Sequence, residues 1–249
     1  MKIKEINVSK GFENYSQRNN EFLFTDACGP TNMIQAAEYA GWVIPTYSAL
    51  NFKQPEDNLM KYTRTNKNVL EYYKKIDIVN YEKWVKEANN LKKENQYFWE
   101  VRCIDSYPPN ELHKVMNFAT NSFFNNKVTE FFENTNENDL ITELLDGLPV
   151  VSSVKFGSYG HYVTIVGFTV KNNVWEKYLI SKNKIYLKNN IIDYIIDNTY
   201  GRFNFETNKY DFVSGDNEHI ERKKFLSMLK PLNSEKIIMH KFYKAPSTI

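Results

Sequence analysis

The chain has little sulfur, little histidine and little glycine: two cysteines, four histidines and nine glycines in 249 residues. Two cysteines build no disulfide framework. The histidines are far apart and no Cys-x-x-Cys occurs, so no metal site is expected. A glycine-rich phosphate loop is also missing. Gly157-Ser158-Tyr159-Gly160 lacks the lysine and the opening helix that such a loop needs. No cofactor is therefore expected. Apolar runs stay well short of the ~20 residues of a spanning helix, which excludes a helical membrane span. Met1-Lys2-Ile3-Lys4-Glu5 begins no apolar signal segment. Charge of one sign is lacking too. Lys plus Arg exceed Asp plus Glu by two, with the charges interspersed, so there is no electrostatic footprint for nucleic acid. A chain of this kind is expected to be cytoplasmic as synthesised. Action at a cell wall would need a separate release pathway.

What is present is a globular composition with many aromatics (15%) and a length sufficient for a large core. The richness in Lys, Asn, Ile and Tyr suggests an AT-rich coding sequence of a bacterium or its phage. Helical patterns come first, over 30–40, 66–75, 80–95, 110–124 and 138–146, with 42–65 irregular around Pro45 and Pro55. Strand patterns follow, over 148–156, 161–170, 174–180, 191–197 and 236–243, interrupted by a helix over 218–229. Helices first and strands after predict an α+β fold with segregated layers. No linker divides the chain, so 1–249 reads as a single domain, with a mostly helical lobe and insertion over about 45–138.

Two segments carry chemistry. Asp26-Ala27-Cys28-Gly29-Pro30-Thr31 sets a cysteine at the mouth of a helix. Pro30 suits a first helical turn, Met33, Ala36, Ala37 and Ala40 recur on one face, and Gly41 supplies a stop. A thiol attacks a carbonyl as thiolate, which a helix N-terminus and a nearby imidazolium both favour. The second segment, Gly160-His161-Tyr162-Val163-Thr164, puts His161 at the start of an apolar strand, 133 residues after Cys28. An imidazole there can take the thiol proton and return it to a leaving group. Such a base needs an orienting partner. Asp197 and Asn198, at the end of the strand 191–197, can each accept from the other ring nitrogen, and Asp197 is favoured. Asp-Asn-Thr-Tyr-Gly is also turn chemistry in its own right.

The remaining candidates read more plainly. Cys103, alternating with Trp99 and Val101, reads as a small core hydrophobe. His113 reads as a surface residue of a helix, and His219 as solvated among Asp216, Glu218 and Glu221. His240 reads as structural, and as the second choice for a base.

In order and spacing, Tyr15-Ser16-Gln17, Cys28-Gly29-Pro30-Thr31, Gly147-Leu148-Pro149-Val150, Gly160-His161 and Asp197 resemble the C39-like cysteine peptidases of the papain-like superfamily. The resemblance implies a papain-like fold, with an N-terminal helical lobe and a C-terminal antiparallel sheet lobe. It also implies Cys28 as nucleophile, His161 as base, Asp197 as orienter and Gln17 as oxyanion-hole side chain. An amide donor aimed at the oxyanion contributes ~10²–10³ in rate. This sequence departs from the family where Asn198, not proline, follows the aspartate. The expected activity is cysteine endopeptidase on peptide or isopeptide bonds, with peptidoglycan peptide as the expected substrate. The alternatives are a deamidase or transglutaminase-like effector and a lapsed peptide-binding module.

Overall fold

The structure, a computed structural model, describes residues 2–12, 14–20, 27–46, 52–82, 85, 110–157, 159–207, 209–211, 214–229 and 236–247. The segment holding Trp99, Val101 and Cys103, and most of the helix expected over 80–95, lie outside the described residues. The helices are α1 (Cys28–Tyr39), α2 (Pro55–Thr65), α3 (Lys67–Ile76), α4 (Asn110–Phe124), α5 (Glu137–Leu145), α6 (Asn172–Ser181), α7 (Lys184–Lys188) and α8 (Arg222–Leu229). The strands are β1 (Ile3–Asn7), β2 (Thr129–Thr135), β3 (Val150–Phe156), β4 (Tyr159–Lys171), β5 (Ile191–Asn198), β6 (Phe203–Asn204), β7 (Lys209–Tyr210), β8 (Gly215–Glu221) and β9 (Ile237–Phe242).

Seven strands form one antiparallel sheet in the order β2-β9-β3-β4-β5-β8, with β1 also on β4. β4 organises it. β3 pairs with its first half, Val150 opposite Ile165. β1 takes the same edge further on, with Asn7 opposite Gly167. β5 runs along the other edge, with Thr164 opposite Asp197. Because side chains alternate across a strand, β4 presents two different faces. Val163 and Ile165 join a core with α5, α6 and α8, to which α5 gives Leu140, Ile141 and Leu144. Tyr162 joins the core built by α1 to α4. Mixed helix and antiparallel sheet is thus the α+β arrangement expected.

α1 is buried on nearly every side, from Gly29 through Ala37, not on one stripe alone. The sheet lies on one side of it, and α2 and α4 on the other. It stops in a Schellman motif, with Trp42 N–H on Ala37 O (3.0 Å), Gly41 N–H on Glu38 O (2.8 Å) and Gly41 at φ +89°.

Several expectations need correction. Residues 174–180 form most of α6 instead of a strand. Their β-prone residues sit at helical spacing, so Val174 and Tyr178 share the buried stripe while Ile180 is exposed. The irregular reading of 42–65 misses α2. Pro55 stands at its first turn with Glu56 and Asp57, a helix start and not a break. The helix over 218–229 begins only at Arg222, because Glu218–Glu221 complete β8. His113 is no surface residue. It is fully buried, stacked on Phe131 and bonded through Nδ1 to His240 Nε2 at 2.9 Å.

Gly167 is required by the β1 pairing. A Cβ there would lie 2.0 Å from Ile6 O. Gly167→Ala is expected to destabilise the fold by about 1–3 kcal/mol, read as a lower urea midpoint and faster hydrogen exchange of β1.

Burial pushes His113 down to about 3, His161 down to about 4 and His240 well below its ordinary value. Their contribution to stability is complete above pH 6.5. It is lost as pH falls below that value, because the unfolded chain takes up these protons first. Burial pushes Glu56, Asp197 and Glu218 up to about 7, which works oppositely: stability is lost as pH rises from about 4 to 7. The two effects offset each other in mild acid. Replacing both His113 and His240 by leucine is expected to leave the carboxyl effect dominant. The urea midpoint of that variant should rise on acidification from pH 6.5 to 4.5, while that of the parent stays nearly flat.

Candidate active site

α1 begins at Cys28, so the first-turn N–H groups of the helix surround the residue. Cys28 is a partly buried thiol. One turn on, Asn32 is fully buried and locks this turn to the sheet. Its Nδ2 donates to Cys28 O (2.7 Å), Tyr162 O (2.9 Å) and Thr199 Oγ1 (3.2 Å). Its Oδ1 accepts from Thr164 Oγ1 at 2.7 Å. The cysteine turn is thereby clasped to the residue after His161.

Gln17 reaches the same place from the other side. It opens a short 3-10 turn, and its N–H donates to Thr199 O at 3.0 Å. Thr199 Oγ1 donates to Gln17 Oε1 at 3.0 Å while accepting from Asn32. The amide nitrogen of Gln17 therefore lies at the end turned away from Thr199. Thr199 is the hub between the three segments, and the sequence reading missed both it and Asn32.

His161 Nε2 lies 3.0 Å from Asn198 Oδ1. The same Oδ1 accepts the Tyr200 N–H at 3.2 Å. A main-chain N–H only donates, so the atom facing His161 is the amide oxygen, and Nε2 carries the proton. Nδ1 is then the basic nitrogen. Burial pushes His161 down to about 4, with the Asn198 bond opposing, so the ring is neutral at pH 7. Aromatic rings shield it: Phe156 at 5.7 Å, Tyr210 at 6.0 Å and Tyr200 at 6.5 Å between centroids. Tyr210 is also within electrostatic reach of Cys28. Its phenol is raised chiefly by burial and next by the Cys28 charge. Arg18 lies over the Tyr200 ring at 4.8 Å.

Asp197 points to the other face. Its Oδ2 accepts from Tyr39 (2.9 Å) and Gln35 (3.2 Å), and its Oδ1 from Asn217 N–H (2.8 Å). This buried carboxyl joins β5 to α1 and β8. The favoured partner for His161 was Asp197, and the structure puts Asn198 there instead. Strand alternation decides it, since neighbouring residues cannot face the same ring. His219 is exposed, as expected, and His240 lies in the core with His113. Among the described residues, no group of three His, Cys, Asp or Glu side chains is placed to hold a metal ion, and no helix is long and apolar enough to cross a membrane.

A family model described as the Peptidase_C39 like family matches residues 9–181, more than two thirds of the chain. The chain belongs to the Peptidase_C39 like family. No curated protein and no solved structure matches it. The matched segment holds Gln17, Cys28 and His161 and ends before Asn198.

Thr199→Val keeps the shape and removes the hydroxyl shared by Gln17 and Asn32. It is expected to cost about 1–3 kcal/mol, seen as a lower urea midpoint, whereas Thr199→Ser should match the parent.

Proposed function

We propose that this chain is a cysteine peptidase in which Cys28 is the nucleophile, His161 the base and Asn198 the orienter. Gln17 Nε2 and the Cys28 N–H form the oxyanion hole. The observation that carries the reading is the His161 Nε2–Asn198 Oδ1 bond, which puts the ring proton on Nε2 and leaves Nδ1 able to accept one from a thiol. The thiol proton passes from Sγ to Nδ1 as sulfur attacks the carbonyl. The tetrahedral oxyanion is held by the two N–H donors. On collapse, Nδ1 gives its proton to the leaving amine, and water then hydrolyses the thioester with the same imidazole as base. Asp197 serves the fold, holding α1 against β5.

For substrate, we favour bacterial cell-wall peptide. The composition supports a bacterial or phage source. A cavity of about 400 Å³ beside the turn that holds Gln17, lined by Tyr15, Ser16, Asn19, Glu38 and Gln54, has room and polar groups for a short stretch of polar peptide. The chain is proposed to work as one domain.

Cys28→Ala is expected to abolish clearing of isolated peptidoglycan. Asn198→Ala should lower kcat ~10²–10⁴-fold by freeing the imidazole. Asp197→Asn should cut kcat far less while changing the urea midpoint. Equal loss of kcat in both variants would refute the Asn198 assignment. Hydrolysis of proteins but not of peptidoglycan would refute the substrate. Ammonia release without chain cleavage would point to a deamidase.

A further inference from the structure

Resting on the reading above, we propose that Glu218 is a positioning residue of the site: its carboxylate holds the Asn198 amide through Nδ2, and so keeps Oδ1 on His161 Nε2. Glu218 lies beyond the matched family segment, and nothing in the sequence motifs points to it.

The register places it. Glu218 on β8 stands directly opposite Ile196 on β5, so the two side chains share a sheet face. Ile196 pairs with Ile165 on β4, and Ile165, Val163 and His161 alternate onto that same face. Asn198, two residues beyond Ile196, returns to it. Glu218, Asn198 and His161 thus lie in sequence across three neighbouring strands.

Burial makes the arrangement costly without a purpose. Glu218 is 5% exposed, and its Oε2 has no hydrogen-bond partner among the described residues. The Asn198 Nδ2 is likewise buried and unpartnered, since both bonds made by that side chain use Oδ1. An orphan donor and an orphan acceptor on adjacent strands are complementary. The Asn198 amide and the Phe203 N–H both favour the charged carboxyl, with Arg202 and Lys224 adding weaker attraction, while burial opposes them and dominates. The carboxylate also lies near enough to Tyr210, one of the rings around His161, to raise its phenol.

The function follows from polarity. A carboxylate on Nδ2 polarises the amide and makes Oδ1 a better acceptor. That favours the imidazolium formed when Cys28 Sγ gives its proton to Nδ1. Neither Asn198 nor Glu218 transfers a proton. The Nδ2–Oε2 contact tightens as that charge appears, as hydrogen bonds of resting sites commonly do.

The test is site-resolved alkylation of Cys28 by iodoacetamide from pH 5 to 9 in the full chain, for the parent, Glu218→Gln, Asn198→Ala and the double variant. Urea midpoints are measured on the same samples. Rapid labelling of the parent well below pH 8 is expected. An ordinary thiol profile in the parent would overturn the peptidase reading and this proposal together. Given an activated parent, Glu218→Gln should slow labelling by roughly three- to tenfold at pH 7.5, where the parent carboxyl is mainly charged, and by less at pH 6, where burial keeps it mainly protonated. The double variant should label no more slowly than Asn198→Ala alone. Since burial penalises the charge, Glu218→Gln should leave the urea midpoint at pH 8 unchanged or higher. A carboxylate that serves the fold alone would lower the midpoint and leave labelling untouched. Parent-like labelling by Glu218→Gln, or effects that multiply in the double variant, would overturn the proposal while leaving the peptidase reading intact. If Glu218→Gln does not fold, Glu218→Asp, which keeps the charge and shortens its reach, is read by the same criteria.

Discussion

The site depends on burying the first turn of a helix against the end of a sheet. α1 is enclosed on nearly all sides, so its polar residues must be satisfied within the protein. Asn32 does this by bonding to both Cys28 O and Tyr162 O, and Gln35 and Tyr39 by bonding to Asp197. These bonds fix the rotation of α1 and its height above β4. A slip of one residue on either element would leave several buried groups unpaired, each costing about 1–3 kcal/mol. The distance between a helix start and a strand start is thereby set by polar satisfaction, with apolar packing filling in around it.

The strongest periodic elements were legible in the sequence. α1, α4, β3, β4, β5 and β9 have apolar patterns long enough to declare their type. α6 was not, because Val174, Trp175, Tyr178, Leu179 and Ile180 favour strands locally while their spacing suits a helix packed on one side. β1, β2 and β8 carry charged and polar residues at alternate positions and little apolar content, so their pairing comes from the sheet around them. α2 was hidden by reading Pro55 as a breaker.

At the site, residues with distinctive chemistry were legible and their supports were not. Cys28, His161 and Gln17 stand in short motifs. Choosing between Asp197 and Asn198 needs the strand's facing, which no local motif records. Thr199 and Asn32 look like ordinary loop and helix residues, and only three-dimensional proximity reveals that one hydroxyl joins Gln17 to Asn32. Glu218 figured only as a charged neighbour of His219, and the end of β8 was taken for a helix.

β1 lies on an edge of β4, and Gln17 is held through a threonine at residue 199. These segments therefore find their partners among residues made much later. Cys28 is made well before Thr199, which follows it by 171 residues and is tied to the same helix turn through Asn32. Order of synthesis thus keeps apart what the fold joins: on the proposed reading, the nascent chain carries its thiol without a base or a cradle until the sheet closes.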